Sequence, residues 1–537
     1  MAEKVIRNNQ SIVPFFGERL SFTRGLDPLG LQNTSDATFT MLLPGLNNVT
    51  GRIRYYSFYC WLLDEYSKQI GSTNPKKQQQ FIRRAEYLIA LTSTFIDGEA
   101  LSIPGSLYAS SQIKNEPDIV HSLQEGTYKE NGSTTNTYWK FPLGAFGQYY
   151  FGSLNDIGIV SRRDNESGVF VRSNNRGRDI VSGEALAAAF NANISAQAKR
   201  LFLDSLTKGE ISEAQLIDLL PDFNLTLVPI NTEEQHLLIN LLLQKDFPLR
   251  IEEEPKTHRK KTIKFLLEHV KCFFYSFNDR AFIYQCYANK GLIDGEKQST
   301  ILGWFYYQFN EYWHYANTAI LNGTLAYLEN TAGPNWLALK PFIDEITSQI
   351  TTELKTMNLI DSENDSLESL LNVLNPDEQY YLTACANKNP VSRATNGFLL
   401  MFSQYLNQQN ELIILREYSE TNNLGNDGEG THYFLNEFAA KKAMTIENYI
   451  FDYLYIHIIY RHQYVAFRKM RGSTQSTQKF IIEDHHIRYL GNFEPGFTGP
   501  RIGNLINYLK DLGVMTMDNT LTESGENLLS NLTNAKN

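Results

Sequence analysis

Two Glu-x-x-His pairs on predicted helices are the first residues in this chain whose spacing suits chemistry: Glu233 to His236 and Glu311 to His314. A spacing of three puts both side chains on one helix face, and two such pairs with two further glutamates could hold a di-iron centre. Such pairs also arise by chance in a chain with ten histidines and 59 acidic residues, and Glu233 fits equally well as a helix-start charge beside Thr232. A second cluster, His457, His462, Glu483, Asp484, His485 and His486, has the residue types of a hydrolytic metal site, provided that they converge on one point. Residues 479–482 and 487–490 read instead as two short apolar strands, with Asp484-His485-His486 as the polar turn between them. The sequence has no Gly-x-x-x-x-Gly-Lys-Ser/Thr phosphate loop, Gly-x-Ser-x-Gly elbow or His-Glu-x-x-His helix. The glycine-rich run 425–430 lies outside any strand-to-helix context. No catalytic residue, metal ligand set or cofactor is assigned from these patterns.

The basic residues offer another chemistry, the pairing of cations with phosphates. Arg162, Arg163, Arg172, Arg176 and Arg178 stand close together against Asp164, Glu166 and Asp179, with Gly168 and Gly177 permitting exposed turns. Further on, Arg461, Arg468, Lys469, Arg471, Lys479, Arg488, Arg501 and Lys510 outnumber Glu483, Asp484 and Glu494. Lys469, Arg471, Arg488 and Arg501 are the candidate phosphate contacts in this second group. Each phosphate contact wants a local cation, so two basic patches on a chain of net charge −10 suit duplex DNA touched at limited places. A solvated hairpin or a joint between proteins would use the same residues. The reversal from Glu252-Glu-Glu254 to the basic run 256–264 reads as an exposed linker entering a helix.

The elements that must position these cations carry a repeated punctuation. Ile502, Leu505, Ile506, Leu509 and Leu512 line one face of a helix that Gly513 stops. Residues 514–517 alternate up to a turn at Asp518-Asn519, Leu521 returns, and another helix follows with Thr522 as its cap. Leu154-Asn-Asp-Ile-Gly158-Ile159 matches Leu509-Lys-Asp-Leu-Gly513-Val514, and Ser182-Gly183-Glu184 matches Ser524-Gly525-Glu526. Helix, glycine, hairpin, helix, twice over, resembles the winged-helix superfamily. A helix capped by Thr50 and apolar around most of its circumference should be central to its domain, with Arg52 and Arg54 pairing with carboxylates or packing on rings. Helical patterns continue over 78–94, 195–220, 232–246, 262–289, 299–330, 336–359, 367–374, 393–407, 431–442 and 445–470. The expected organisation is an N-terminal helical domain (1–138), a winged-helix-like module (139–194), a central helical domain (195–444), and a C-terminal helix with a second winged-helix-like module (445–537).

A chain of 537 residues is too long for one core, and 42% hydrophobic residues, with 30 Tyr and 32 Phe, exclude a disordered class. No apolar leader opens the sequence and no run is long enough to span a bilayer. Four cysteines without a Cys-x-x-Cys pair fit a reducing, cytoplasmic setting. The runs Arg461-His-Gln-Tyr-Val-Ala-Phe-Arg-Lys-Met470, Phe480-Ile-Ile-Glu-Asp484 and Gly499-Pro-Arg501 resemble a pattern in uncharacterised bacterial proteins of phage-defence gene clusters, as does Leu43-Pro-Gly-Leu46 with the residues after it. That resemblance implies a bacterial setting and protein partners, and it carries no catalytic residues. The sequence thus predicts a mainly α, multi-domain helical protein with two winged-helix-like modules and small β-hairpins. Its expected role is a non-catalytic DNA-recognition or scaffolding subunit of an anti-phage defence complex. The alternatives are a purely protein–protein interaction scaffold and a metal-dependent enzyme with an unrecognised site.

Overall fold

The computed structural model describes residues 21–22, 27–47, 49–95, 102–126, 139–164, 168–175, 180–245, 257–273, 278–288, 298–425, 428–470, 475–499 and 501–534. Helix makes up 66% and strand 6%, so the chain is mainly helical with small, mostly antiparallel sheets. Contacts group it into two compact units: Met1–Thr38 with Leu302–Thr498, and Phe39–Ile301 with Gly499–Asn537. The four segments read from the sequence cut the chain along its length, whereas each unit joins segments far apart in it.

The second unit, 39–301 with 499–537, grows from the helix Arg54–Gln69, of whose 16 residues twelve are buried. Phe58 and Trp61 meet Phe190 and Phe202, and Phe202 stacks on Phe223 at 4.2 Å with the planes 9° apart. Thr50 is not the cap of this helix. The residue before the helix is Ile53, which makes no capping bond, while the Thr50 carbonyl accepts from Tyr508 Oη at 2.8 Å. Arg52 and Arg54 pair with carboxylates as expected: Arg52 Nη1 lies 2.6 Å from Asp511 Oδ1, and Arg54 Nε lies 3.3 Å from Glu234 Oε1. Asp511 ends the helix Ile502–Asp511, so this ion pair ties the last segment of the chain to the first long helix of the unit.

The repeated punctuation has a repeated geometry in this unit. Gly158 and Gly513 both adopt a left-handed φ, +81° and +66°. Gly158 N donates to Asn155 O and Ile159 N to Leu154 O; Gly513 N donates to Lys510 O and Val514 N to Leu509 O. Each glycine thereby closes its helix with the same pair of bonds. A hairpin follows each time, Val160–Arg162 with Phe170–Arg172 in the first copy and a single Met515–Leu521 bridge in the second. The next helix then approaches so closely that a Cβ on Gly183 would meet the carbonyl oxygen of Ile159, and one on Gly525 that of Val514. Thr522 caps the last helix, accepting from Gly525 N at 3.1 Å, and Ser182 caps its counterpart, accepting from Ala185 N at 3.1 Å.

Two predicted helices are each a pair. The 195–220 pattern is Ala196–Lys208 and Glu213–Phe223, because Gly209 caps the first at φ +80° and Ser212 starts the second with a capping box. Between them Glu210–Ser212 pairs antiparallel with Val120–Ser122. The 262–289 pattern is His258–Cys272 and Asp279–Ala288.

The first unit, 1–38 with 302–498, is built around the 35-residue helix Gln298–Ala332, with Leu339–Thr356, Pro390–Gln408 and the long helical run 446–470. That run is α-helical over Ile446–Asp452, widens to a π-helix over Tyr453–Tyr460, and returns to α over Arg461–Met470. A second π segment, Tyr433–Phe438, lies beside it, with Tyr433 and Tyr453 rings 5.6 Å apart. Trp336–Ala338, His486–Tyr489 and Phe480–Glu483 form a three-stranded antiparallel sheet with His486–Tyr489 in the middle.

Candidate functional site

Three of the nine predicted nucleic-acid contacts, Arg176, Arg178 and Arg471, lie outside the described residues. Arg162, Arg163 and Arg172 share one hairpin, but Arg172 is held by the protein. Its Nε donates to Asp64 Oδ1 at 2.8 Å and its Nη2 lies 3.6 Å from Glu184. Burial works to raise the Asp64 carboxyl, and hydrogen bonds from Lys68 and Arg172 outweigh it, so the group titrates below its ordinary value. Arg501 donates to the Leu46 carbonyl and sits 4.1 Å from the centroid of the Phe39 ring. Lys469 donates to the Asp27 carbonyl, and Arg488 lies 4.9 Å from the centroid of the Trp336 ring. Arg501 belongs to the second unit, whereas Lys469 and Arg488 belong to the first, on a helix and a strand. Only Arg162 and Arg163, among the described members of the set, are exposed without a carboxylate contact.

A helix that reads a groove needs a free face with donors on it. No residue of Ile502–Asp511 is more than partly exposed. On the first copy the exposed residues are Gln148, Gly152, Asn155 and Asp156, none of them a cation.

The histidines of the second cluster do not converge. His485 and His486 stand exposed at the tip of the 480–489 hairpin, where Asp484 and His485 take positive φ values of 46° and 61°, so the polar turn read from the sequence is present. His462 is buried and doubly used. Its Nδ1 donates to Pro28 O at 2.9 Å and its Nε2 accepts from Lys479 N at 2.9 Å, which fixes a neutral tautomer. Burial, reinforced by nearby Lys479 and Lys469, pushes its pKa down to about 4 against the bond to Pro28. His457 faces Glu437 at 3.1 Å in a cavity of about 220 Å³ that His432, Glu429 and Arg461 also line. Burial, with Lys441 and Arg461, lowers it to about 4 as well. Among the described residues, no group of three or more His, Cys, Asp or Glu side chains is placed to hold a metal ion. Set against protein-family models, curated proteins and solved structures, the chain finds no match. Among the described residues, no helix is long and apolar enough to cross a membrane.

The most distinctive surface lies on the 446–470 run. Ile456, Tyr460, Tyr464 and Phe467 are 48%, 40%, 61% and 56% exposed. Their spacing of four, four and three places them in one line along the helix. The inner face of the same helix is spent on holding the 27–31 turn: Arg461 Nε donates to Leu29 O at 2.7 Å, beside the His462 and Lys469 bonds already described. Arg468 lies 5.8 Å from the centroid of the Tyr464 ring, at the basic end of the line. Sequence reading recorded the cations at this helix end and missed the apolar line, because exposed and buried aromatics look alike in a segment this rich in both. The alternation of two faces, Val465 and Ala466 buried between exposed Tyr464 and Phe467, was the available signal.

Proposed function

We propose that this protein is a non-catalytic docking subunit of a multi-protein assembly. In this reading the Ile456, Tyr460, Tyr464 and Phe467 line receives an amphipathic helix of a partner protein, acidic where it meets Arg468. The single observation that carries it is that row of large apolar side chains left in solvent on a helix whose other face is fully engaged. Isolated exposed apolar residues are ordinary, but a contiguous row of four spans three helical turns and is costly to leave uncovered. Charge complementarity selects the acidic partner over a nucleic acid, since most described cations of the predicted set are bonded or stacked within the protein. The two helix–glycine–hairpin–helix segments are then winged-helix-like modules that serve as internal joints. The resemblance to bacterial phage-defence proteins agrees with a place in such an assembly.

A photo-crosslinking residue at Tyr464, introduced in the full chain in its native host, tests this. The expected product is a crosslink to one partner protein, within an acidic amphipathic helix, lost in the Phe467→Glu variant. Crosslinks confined to a second copy of this chain would overturn it. So would duplex DNA binding that the paired changes Arg162→Glu and Arg163→Glu abolish.

A further inference from the structure

A second feature of the first unit is independent of that surface. Beside the middle of the helix Gln298–Ala332 lies a half-open cavity of about 610 Å³, within the size range of small-molecule sites. Its wall includes Asp27, His314, Thr318, Asn492, Phe493 and Phe497.

His314 is the unusual group. It is 2% exposed, and neither Nδ1 nor Nε2 has a hydrogen-bond partner among the described residues. A buried imidazole offers one donor and one acceptor, and leaving both unmade is expensive. His462, in the same unit, shows the ordinary solution, with both nitrogens bonded. The polar side chains near His314 are satisfied too. Thr318 Oγ1 donates to the His314 carbonyl at 2.9 Å, and the Asn492 amide exchanges bonds with Asn322 at 3.0 and 3.3 Å.

The charged groups of the wall are engaged in the same way. Asp27 accepts from Leu31 N at 2.8 Å and faces Lys469 Nζ at 4.0 Å. Glu494 stands 88% exposed, 4.0 Å from Arg393, and Lys479 is held within the protein as well. No charge is left over to hold an ion inside the cavity. Burial lowers the His314 pKa to about 4, with Asp27 pulling the other way, so the imidazole is itself uncharged. The apolar part of the wall is flat. Phe497 stacks on Tyr315, 4.6 Å apart and 10° from parallel, and Phe493 and Phe497 are both only half buried.

We propose that this cavity binds an uncharged flat ring compound with an amide-like edge, a ring carboxamide or a nucleobase, whose edge bonds His314 and whose face covers Phe493 and Phe497. A neutral imidazole donates at one nitrogen and accepts at the other, and an edge that carries a donor beside an acceptor meets it in either tautomer. A buried group left unpaired rejects isosteres that lack the bond, and covering the two rings supplies the rest of the affinity. Binding involves no covalent step.

Calorimetry on the full-length protein tests this with four probes: benzamide, adenine, benzoate and toluene. Benzamide or adenine should bind about tenfold more tightly than benzoate and toluene, about 1.4 kcal/mol, and which of the two is tighter separates a carboxamide from a nucleobase ligand. With ring-labelled histidine, NMR should show the tighter probe moving one imidazole signal, absent in His314→Gln, while leaving it at its neutral position. Phe493→Ala, a change at a half-buried position that leaves His314 in place, should weaken that probe about tenfold, a reading that does not depend on His314→Gln folding. The proposal is overturned if neither benzamide nor adenine binds, which would leave water as the occupant, or if benzoate or toluene binds as tightly as the better of them. It is equally overturned if the moved signal shifts to the imidazolium position or if Phe493→Ala has no effect on affinity.

Discussion

In the second unit buried charge meets buried charge. Arg54 sits on Glu234, Arg52 on Asp511, and Arg259 spends its guanidinium on four backbone carbonyls, those of Leu242, Pro44, Leu241 and Gln244. Glu86 accepts from the Ala145 and Phe146 amides and from Tyr59 Oη. In the first unit neutral imidazoles, His314, His457 and His462, are set among asparagines and tyrosines such as Asn317 and Tyr453, beside buried carboxyl groups such as Glu311 and Glu429. Both solutions remove polar groups from water, but they fail differently. A buried ion pair fixes geometry and is badly hurt by loss of one partner, whereas a neutral polar interior tolerates truncation and is hurt by protons.

The largest expected effect follows from the first half of that contrast. Glu234→Ala would strand Arg54, whose side chain is 3% exposed, and should cost about 3–5 kcal/mol, read as a lower denaturant midpoint of the second unit. His462→Asn in the first unit should cost clearly less, about 1–3 kcal/mol, because no charge is left behind. Equal losses would remove the contrast.

Acidity should act on the two units in opposite senses. His314, His457 and His462 have folded values near 4, below the ordinary 6.5, so the unfolded chain takes their protons first, and the stability of the first unit is lost as pH falls from about 6.5 to about 4. Glu311, raised by burial to about 7, offsets one of the three. In the second unit burial raises Glu86 to about 7 against its amide and Tyr59 bonds, and Asp511 to about 6 against Arg52. Stability there is present at low pH and lost as pH rises through those values. At about 1.4 kcal/mol for each pH unit between folded and unfolded titration, each group is worth up to about 3 kcal/mol. Hydrogen exchange, corrected for intrinsic rates, should show protection over 302–332 falling between pH 7 and pH 5 while protection over 54–94 rises. A parallel response in both units would contradict the assignment of these buried groups.

A smaller effect sharpens the comparison inside the second unit. Gly183→Ala and Gly525→Ala each push a methyl group into a carbonyl, of Ile159 and Val514, and should each cost about 1–3 kcal/mol in thermal unfolding. Similar values would confirm that the two glycines hold equivalent places. A neutral result at one would make the repeat a coincidence of wording.

The sequence was most legible where one short stretch decides its own geometry. The 502–512 apolar stripe, the left-handed glycines at 158 and 513 and the polar tip at 484–486 are all local, and each is present. Pairing of Arg52 and Arg54 was legible as a type of contact, while Asp511 and Glu234 as the partners were not, since they lie far along the chain. The grouping into two interleaved units was hidden for the same reason. Basic residues were countable, yet their fate depended on neighbours: Arg172, near Arg163 in the sequence, is bound to Asp64 of the helix Arg54–Gln69. The cavity around His314 was half visible as Glu311-x-x-His314. The two side chains share a helix, but Glu311 accepts from Thr498 N at 2.7 Å and His314 faces open space, so the pair is not a ligand set.

The π segment Tyr453–Tyr460 makes the register of the helix after it a quantity set by residue count. Relaxing the stretch to ordinary α geometry with every residue kept would turn everything downstream by about 100°, the angle of one residue. Arg461 and His462 would swing away from the Leu29 and Pro28 carbonyls, and Tyr464 and Phe467 would leave the line that begins at Ile456. The wider turn is therefore what keeps Arg461 and His462 on the 27–31 carbonyls and the apolar residues in line, and a substitution that restores the ordinary turn here would act on both faces at once.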